Sequence, residues 1–146
     1  MKKQILFTRR NKILMLSIVI VLIVGISSSV FHTGFPIFDE YLGDALYAVL
    51  FYLLLSLIWE KGTPLAKASL IVVLMIAIET FQLTLIPLRF RLSTNIFLKV
   101  ISIVLGTRFA WLDIVSYIVG ILGIYLFDRF YINKYVSVLQ SSRLSR

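Results

Sequence analysis

Four long stretches nearly free of charge constrain this chain more than any other feature. Residues 13–30, 45–59, 65–86 and 111–127 are apolar runs, set in a chain of 146 residues that is 60% apolar and only 15% charged. Three of the four approach the roughly 20 residues a helix needs to cross a hydrocarbon core. A soluble domain of this size has neither that composition nor that blocking. Gly43 and Asp44 extend the second run and Asp128 and Arg129 the fourth, so crossings are expected at 13–30, 43–59, 65–86 and 111–129. The fold class that follows is an all-α integral membrane bundle of four transmembrane helices, a single domain over 1–146 that ends in a basic tail at 130–146.

The formal net charge of +8 is informative through its placement. Lys2, Lys3, Arg9, Arg10 and Lys12 precede the first run, which by the positive-inside rule puts the N-terminus in the cytoplasm. Four crossings return the C-terminus to the same side, with Arg129, Lys134, Arg143 and Arg146, while Lys61 and Lys67 fall in an inner loop. Arg89, Arg91, Lys99 and Arg108 are left outside, against the trend. The expected location is a bacterial inner (cytoplasmic) membrane. The first run also has the basic flank, apolar core and trailing serines (Ser27, Ser28, Ser29) of a signal peptide, and is read as an uncleaved anchor. Trp59 and Trp111 fall at inner and outer interfacial depths, and Pro36, Pro64 and Pro87 fall at segment boundaries, Pro87 stopping the third crossing.

Much chemistry is excluded by what the chain lacks. With no cysteine, one histidine (His32, expected in an exposed loop) and no glycine-rich phosphate loop, neither a metal site nor a cofactor is expected. An intramembrane chain whose basic residues are spread over its ends offers no surface for nucleic acid.

Between Pro87 and Trp111 a ten-residue apolar run, Ile96 to Leu105, is too short to span and is bracketed by Ser93-Thr94-Asn95 and Gly106. Asn95 can cap a helix start and Gly106 can end one, so an interfacial or re-entrant helix over about 95–105 is expected on the outer face. Asn95, Lys99 and Ser102 form a narrow polar stripe along it.

In this topology, polar residues distant in sequence arrive at one depth near the outer interface. Asp44 begins the second crossing, Glu79 and Gln82 close the third, and Asp113 and Tyr117 open the fourth. Glu79 to Gln82 is i to i+3, and Asp113, Ser116, Tyr117 and Gly120 keep the same spacing, so each helix gathers its polar residues on one face. Asp44, Tyr47 and Phe51 make a third such face. An ionisable group inside a bilayer costs about 3 kcal/mol at the centre and turns toward the bundle and a partner. The natural partners are Arg89, Arg91 and Arg108. Two outcomes stay open: a network that only fixes helix register, or a pocket open to the outer leaflet. Ser116, Gly120 and Gly123 add the small-residue spacing of close helix packing.

The same positions carry a family resemblance. Gly43-Asp44-Ala45-Leu46-Tyr47 to Tyr52, then Glu79-x-x-Gln82-Leu83 with Pro87, then Leu105-Gly106-x-x-Phe109-x-Trp111-x-Asp113-x-x-x-Tyr117-x-x-Gly120 resemble small uncharacterised bacterial membrane proteins. That domain-of-unknown-function family is sometimes labelled "ribosomal maturation YjgA family". More remotely, E-x-x-Q followed by an arginine and then D-x-x-x-polar-x-x-G is similar to the VanZ-like family associated with glycopeptide-antibiotic resistance, with Tyr117 standing where that family tends to have an amide. The second resemblance implies a role in the cell envelope.

Three functions fit these residues. The first is a non-enzymatic envelope protein, partnered by the lipid bilayer, whose outer cluster of Asp44, Glu79, Gln82, Arg89, Arg91, Arg108, Asp113 and Tyr117 binds an anionic lipid headgroup or cell-wall precursor. The second is a small proton- or ion-coupled transporter, which at 146 residues would need an oligomer to line a path. The third is a membrane enzyme acting on a lipid headgroup, with Asp113 or Glu79 as general base.

Overall fold

The computed structural model describes residues 2–30 and 36–132, and among these every regular element is helical. In chain order they are α1 (Lys2–Val30), α2 (Pro36–Ile58), α3 (Pro64–Gln82), α4 (Ile86–Leu92), α5 (Ile96–Leu105) and α6 (Trp111–Phe127), with a π-helical turn at Asp128–Ile132 closing α6. Four stretches are long and apolar enough to cross a membrane: Arg10–Ser28, Tyr41–Ile58, Pro64–Gln82 and Trp111–Tyr131. The chain is a membrane bundle of four such helices, a form in which each segment satisfies its own backbone hydrogen bonds where no water can. The expectations for His32 and for residues 133–146 of the basic tail lie outside the described residues.

Local chemistry sets most of the helix ends. Thr63 caps α3 by accepting a hydrogen bond from Ala66 N (3.2 Å), with Pro64 in the first position, where its missing N–H costs nothing. Asn95 caps α5 through Phe97 N (2.9 Å), and Gly106 ends it at φ 71°, both as the sequence indicates. At the far end of α2, the Arg10 guanidinium of α1 donates to Ser56 O and Glu60 O and pairs with Glu60 Oε1 at 3.5 Å. A cation there answers the carbonyls that a helix C-terminus leaves unpaired.

The third crossing ends earlier than expected. Instead of running through Ile86, α3 stops at Gln82. A turn then takes Leu85 into the left-handed region (φ 58°). Pro87, buried, sits in the first turn of α4, so it begins that helix as well as ending α3 a turn upstream. A proline at 87 cannot donate to the Leu83 carbonyl, and its ring would crowd that oxygen, so the helix is released a turn upstream. Thr84 Oγ1 fills in by donating to Phe81 O at 2.7 Å. The break brings Glu79 within three residues of the helix end, about 4.5 Å rather than the 10 Å implied by the longer helix.

α2 and α6 form the central pair; α1 packs on α2, and α3 lies against both α6 and α2. The approach of α2 to α6 is closest at Gly120, where a Cβ would come within 2.3 Å of Ala45 O. Gly123, with the same sequence spacing, has nothing within 4 Å and takes no part in the contact. The core is Leu14, Ala48, Tyr52, Leu53, Ala68, Ile71, Met75, Ile78, Tyr117, Ile121 and Ile124. Large apolar side chains such as Ile23, Val73 and Val119 are exposed on the outside of the bundle, the arrangement that suits a lipid surround. α4 and α5 pack on each other, with α4 touching α3. Ser102 of the expected polar stripe turns inward, 1% exposed and bonded to Lys99 O at 2.7 Å, while Asn95 and Lys99 face out.

Candidate functional site

The inner faces of α3 and α6 follow one plan. Along α3, at steps of three or four residues, run Lys67, Ile71, Met75, Glu79 and Gln82, all buried. Along α6 run Tyr117, Ile121, Ile124 and Asp128, buried likewise. Each stripe is polar at both ends and apolar between. Because the helices are antiparallel, the polar ends meet in two clusters about 18 Å apart along α3.

At one end, Glu79 is completely buried and held from two directions. Tyr117 Oη donates to Glu79 Oε1 at 2.8 Å, and Gln82 Nε2 donates to the same oxygen at 3.3 Å. Gln82 Nε2 also donates to Leu105 O at 2.8 Å, which ties the end of α5 to the end of α3. Those two acceptors orient the amide, since reversing it would set oxygen against oxygen. Gly106 is required here twice over: its φ is positive, and a Cβ would lie 2.8 Å from Gln82 Nε2. Glu79 Oε2 and Gln82 Oε1 are buried and accept no hydrogen bond from the described protein; the Ala110 amide lies near the carboxylate without adequate hydrogen-bond geometry.

Beside this knot lies a cavity of about 500 Å³, within the range of ligand sites. Its polar end is formed by Asp44 and Tyr47 of α2, Gln82 of α3, Arg108 of the α5–α6 loop, and Asp113 and Tyr117 of α6. Asp44 is within hydrogen-bonding reach of the Asp113 carboxyl, so two acids face each other there. Tyr47 Oη donates to Val104 O at 2.6 Å, and its ring lies 4.8 Å from Phe51 and 6.4 Å from Tyr117. The other walls are apolar: Val21, Leu22, Gly25 and Ile26 of α1, Leu46 and Leu50 of α2, and Ile103 and Val104 of α5. α1 packs against α2, and α5 against α4, rather than against one another. The cavity rim between them consists of exposed apolar side chains, Ile26 at 65% and Ile103 at 78%.

The structure therefore brings together Asp44, Gln82, Arg108, Asp113 and Tyr117 around the cavity, with Glu79 directly behind Tyr117 and Gln82. It corrects the expected partners of Glu79, which are a tyrosine and an amide rather than an arginine. Arg89 and Arg91 are exposed on α4; Arg91 reaches Thr107 Oγ1 at 3.5 Å, and neither lines the cavity. The α4 break explains this, because the left-handed turn at Leu85 carries both arginines away from the α3 axis.

The opposite cluster corrects a second expectation. Lys67 is not a loop residue but lies in the first turn of α3, 4% exposed, with Nζ 3.9 Å from Asp128 Oδ2. Tyr52 Oη of α2 donates to that oxygen at 2.6 Å. The signal was present in sequence, as opposite charges at the third residue of one apolar segment and just past the end of another, which an antiparallel pair sets at one depth.

A model of a family described as a protein of unknown function (DUF2809) matches residues 35–121, more than half of the chain. The chain belongs to this family. The part matched to DUF2809 contains every cavity residue except those of α1, together with Lys67 and Tyr52, and stops short of Asp128. No curated protein and no solved structure matches the chain.

Proposed function

We propose that this DUF2809 member is a non-enzymatic protein of the bacterial cytoplasmic membrane that binds the polar head of an anionic amphiphile, a lipid headgroup or cell-wall precursor, in its outer-leaflet cavity. Both termini are cytoplasmic in this reading, which rests on the distribution of basic residues. The observation that carries it is the cavity's two-sided chemistry. Exposed apolar residues of α1 and α5 form the rim, while half-buried Asp44 and Asp113 and exposed Arg108 line the polar end. A molecule entering sideways from the bilayer would leave its chains at the rim and place its head among the charges. Arg108 makes no hydrogen bond or ion pair among the described residues and presents the planar fork that suits phosphate. The resemblance to the VanZ-like family is what turns this reading toward the envelope.

Binding is favoured over conduction by the middle of the bundle. Ile71, Met75, Ile121 and Ile124 separate the two polar clusters with buried apolar side chains, and a proton or ion path would have to cross that layer. Native mass spectrometry of the purified chain tests the reading. A phosphate-bearing amphiphile should co-purify with the wild type and be lost from Arg108→Gln and from Leu22→Trp, which fills the rim. Equal retention by both variants would refute it. Membrane sidedness is checked by labelling Phe90→Cys and Lys61→Cys in intact cells, where only the first should react from outside.

A further inference from the structure

Outside the cavity, the α4–α5 hairpin carries a combination of charge and apolar surface that the site leaves unused. Between Glu79 and Asp113 the chain holds four cations, Arg89, Arg91, Lys99 and Arg108, and no acid. All four are exposed, and none forms an ion pair among the described residues. They are the same cations that stand against the positive-inside trend. The hairpin that carries three of them is firmly held. Gln82 and Tyr47 donate to Leu105 O and Val104 O at the end of α5, and Arg91 reaches Thr107 Oγ1 just beyond it.

α5 is apolar on the side it shows. Its packed stripe is Leu98, Ser102 and Leu105, while Ile96, Phe97, Val100, Ile101, Ile103 and Val104 on the opposite side are 42% to 78% exposed. Lys99 stands at the border of that face, and Arg89 and Arg91 lie on α4, which packs beside it. Three kinds of occupant come into question. A second copy would hide the apolar face but set the hairpin's cations against their own copies. A water-soluble polyanion would answer the cations and leave the apolar face bare. An anionic lipid interface does both, because acyl chains and phosphates lie at adjoining depths.

We infer that the α4–α5 hairpin is a lipid-recognition surface, in which α5 beds its apolar face in the membrane interface while Arg89, Arg91 and Lys99 hold the headgroups of anionic phospholipids. None of the three cations lines the cavity, so this surface is separate from the proposed binding site. The two adjoin at Ile103 and Val104, which belong both to the exposed face and to the cavity wall, and a lipid gathered here stands beside the cavity mouth. Each cation near an anionic surface contributes about a five-fold preference, reduced by salt.

The test uses the full chain with Trp59→Phe, which leaves Trp111 as its one tryptophan. Trp111 is 76% exposed and its ring packs at 5.0 Å on Phe109, two residues past the Thr107 that Arg91 reaches. In phosphatidylcholine nanodiscs, brominated phosphatidylglycerol should quench Trp111 with an association constant at least about five-fold above that of brominated phosphatidylcholine. Arg89→Gln, Arg91→Gln and Lys99→Gln together should remove that preference, and raised salt should shrink it. No preference in the starting chain overturns the proposal. A preference that survives the triple replacement and falls only with Arg108→Gln belongs to the cavity and overturns it equally. Phe97→Cys supplies the chain's one thiol and repeats the comparison on a chain that keeps both tryptophans. A bimane there should be quenched by brominated acyl chains and not by acrylamide. Quenching by acrylamide alone, or a disulfide formed between copies, overturns the placement of α5. Any of these failures leaves the co-purification test of the cavity untouched, since that test rests on Arg108 and Leu22.

Discussion

A single methyl group at position 120 tests the packing on which the cavity depends. In Gly120→Ala the new Cβ would lie 2.3 Å from Ala45 O, about 1 Å short of ordinary van der Waals contact, which begins near 3.4 Å. The obstacle is backbone, also 2.9 Å away at Ala45 C and 3.0 Å at its Cα, so no side chain can swing aside. Either α2 moves off α6 or strain accumulates. Overpacking of this kind costs about 1–3 kcal/mol. Alanine is also a better helix former than glycine by up to about 1 kcal/mol, which would obscure a simple comparison with the wild type. Gly123→Ala removes that difficulty, because it makes the same chemical change three residues along the same helix, where nothing lies within 4 Å. The stability difference between the two variants isolates the packing cost, and Gly120→Ala should be the less stable by about 1–3 kcal/mol. Denaturant-titrated unfolding in a fixed mixed micelle, followed by circular dichroism, measures it. Equal stability of the two variants, or a more stable Gly120→Ala, would refute the close approach of α2 and α6. Asp44 adjoins Ala45, so a separation should also draw Asp44 from Asp113 and weaken lipid binding in the same variant.

The other expectations concern the two polar clusters. Tyr117→Phe removes the 2.8 Å bond to a fully buried carboxyl group and should cost about 1–3 kcal/mol. A double-mutant cycle with Glu79→Gln should be non-additive, since both changes act on one oxygen, and additivity would show that the pair is not coupled. Lys67→Met leaves Asp128 buried with Tyr52 as its one remaining side-chain partner among the described residues, a loss on the order of 3–5 kcal/mol in chemical unfolding. Adding Asp128→Leu should recover part of that loss, and no recovery would count against the pair being an isolated buried ion pair. Gly106→Ala forces a side chain into positive φ and against Gln82, so it should destabilise by about 1–3 kcal/mol. It should also free the α5 end, seen as faster hydrogen exchange at 103–106; unchanged exchange would show that Gln82 does not hold α5.

What the sequence determined by itself is local or periodic. The four crossings follow from the length of apolar runs, and the ends of α5 from Asn95 and Gly106, because capping is decided within a few residues. The grouping of Glu79 with Gln82, and of Asp113 with Tyr117, follows from the 3.6-residue period. The end of α3 was less legible: Pro87 marks a break nearby, but whether the proline ends one helix or begins the next depends on how Leu85 and Thr84 are accommodated.

Which faces meet was decided only by the tertiary structure. Arginines at 89 and 91 stand ten and twelve residues from Glu79 in the chain, and electrostatics alone would pair them with it; the left-handed turn at Leu85 sends them elsewhere, and Tyr117, thirty-eight residues away, takes their place. The Lys67–Asp128 pair and the cavity walled by α1 and α5 likewise join segments that no periodicity links. A helix pattern fixes which side chains share a face. The partner of that face is set by where two backbones can approach, here at Gly120 against Ala45, and by which donors remain once the helices have packed.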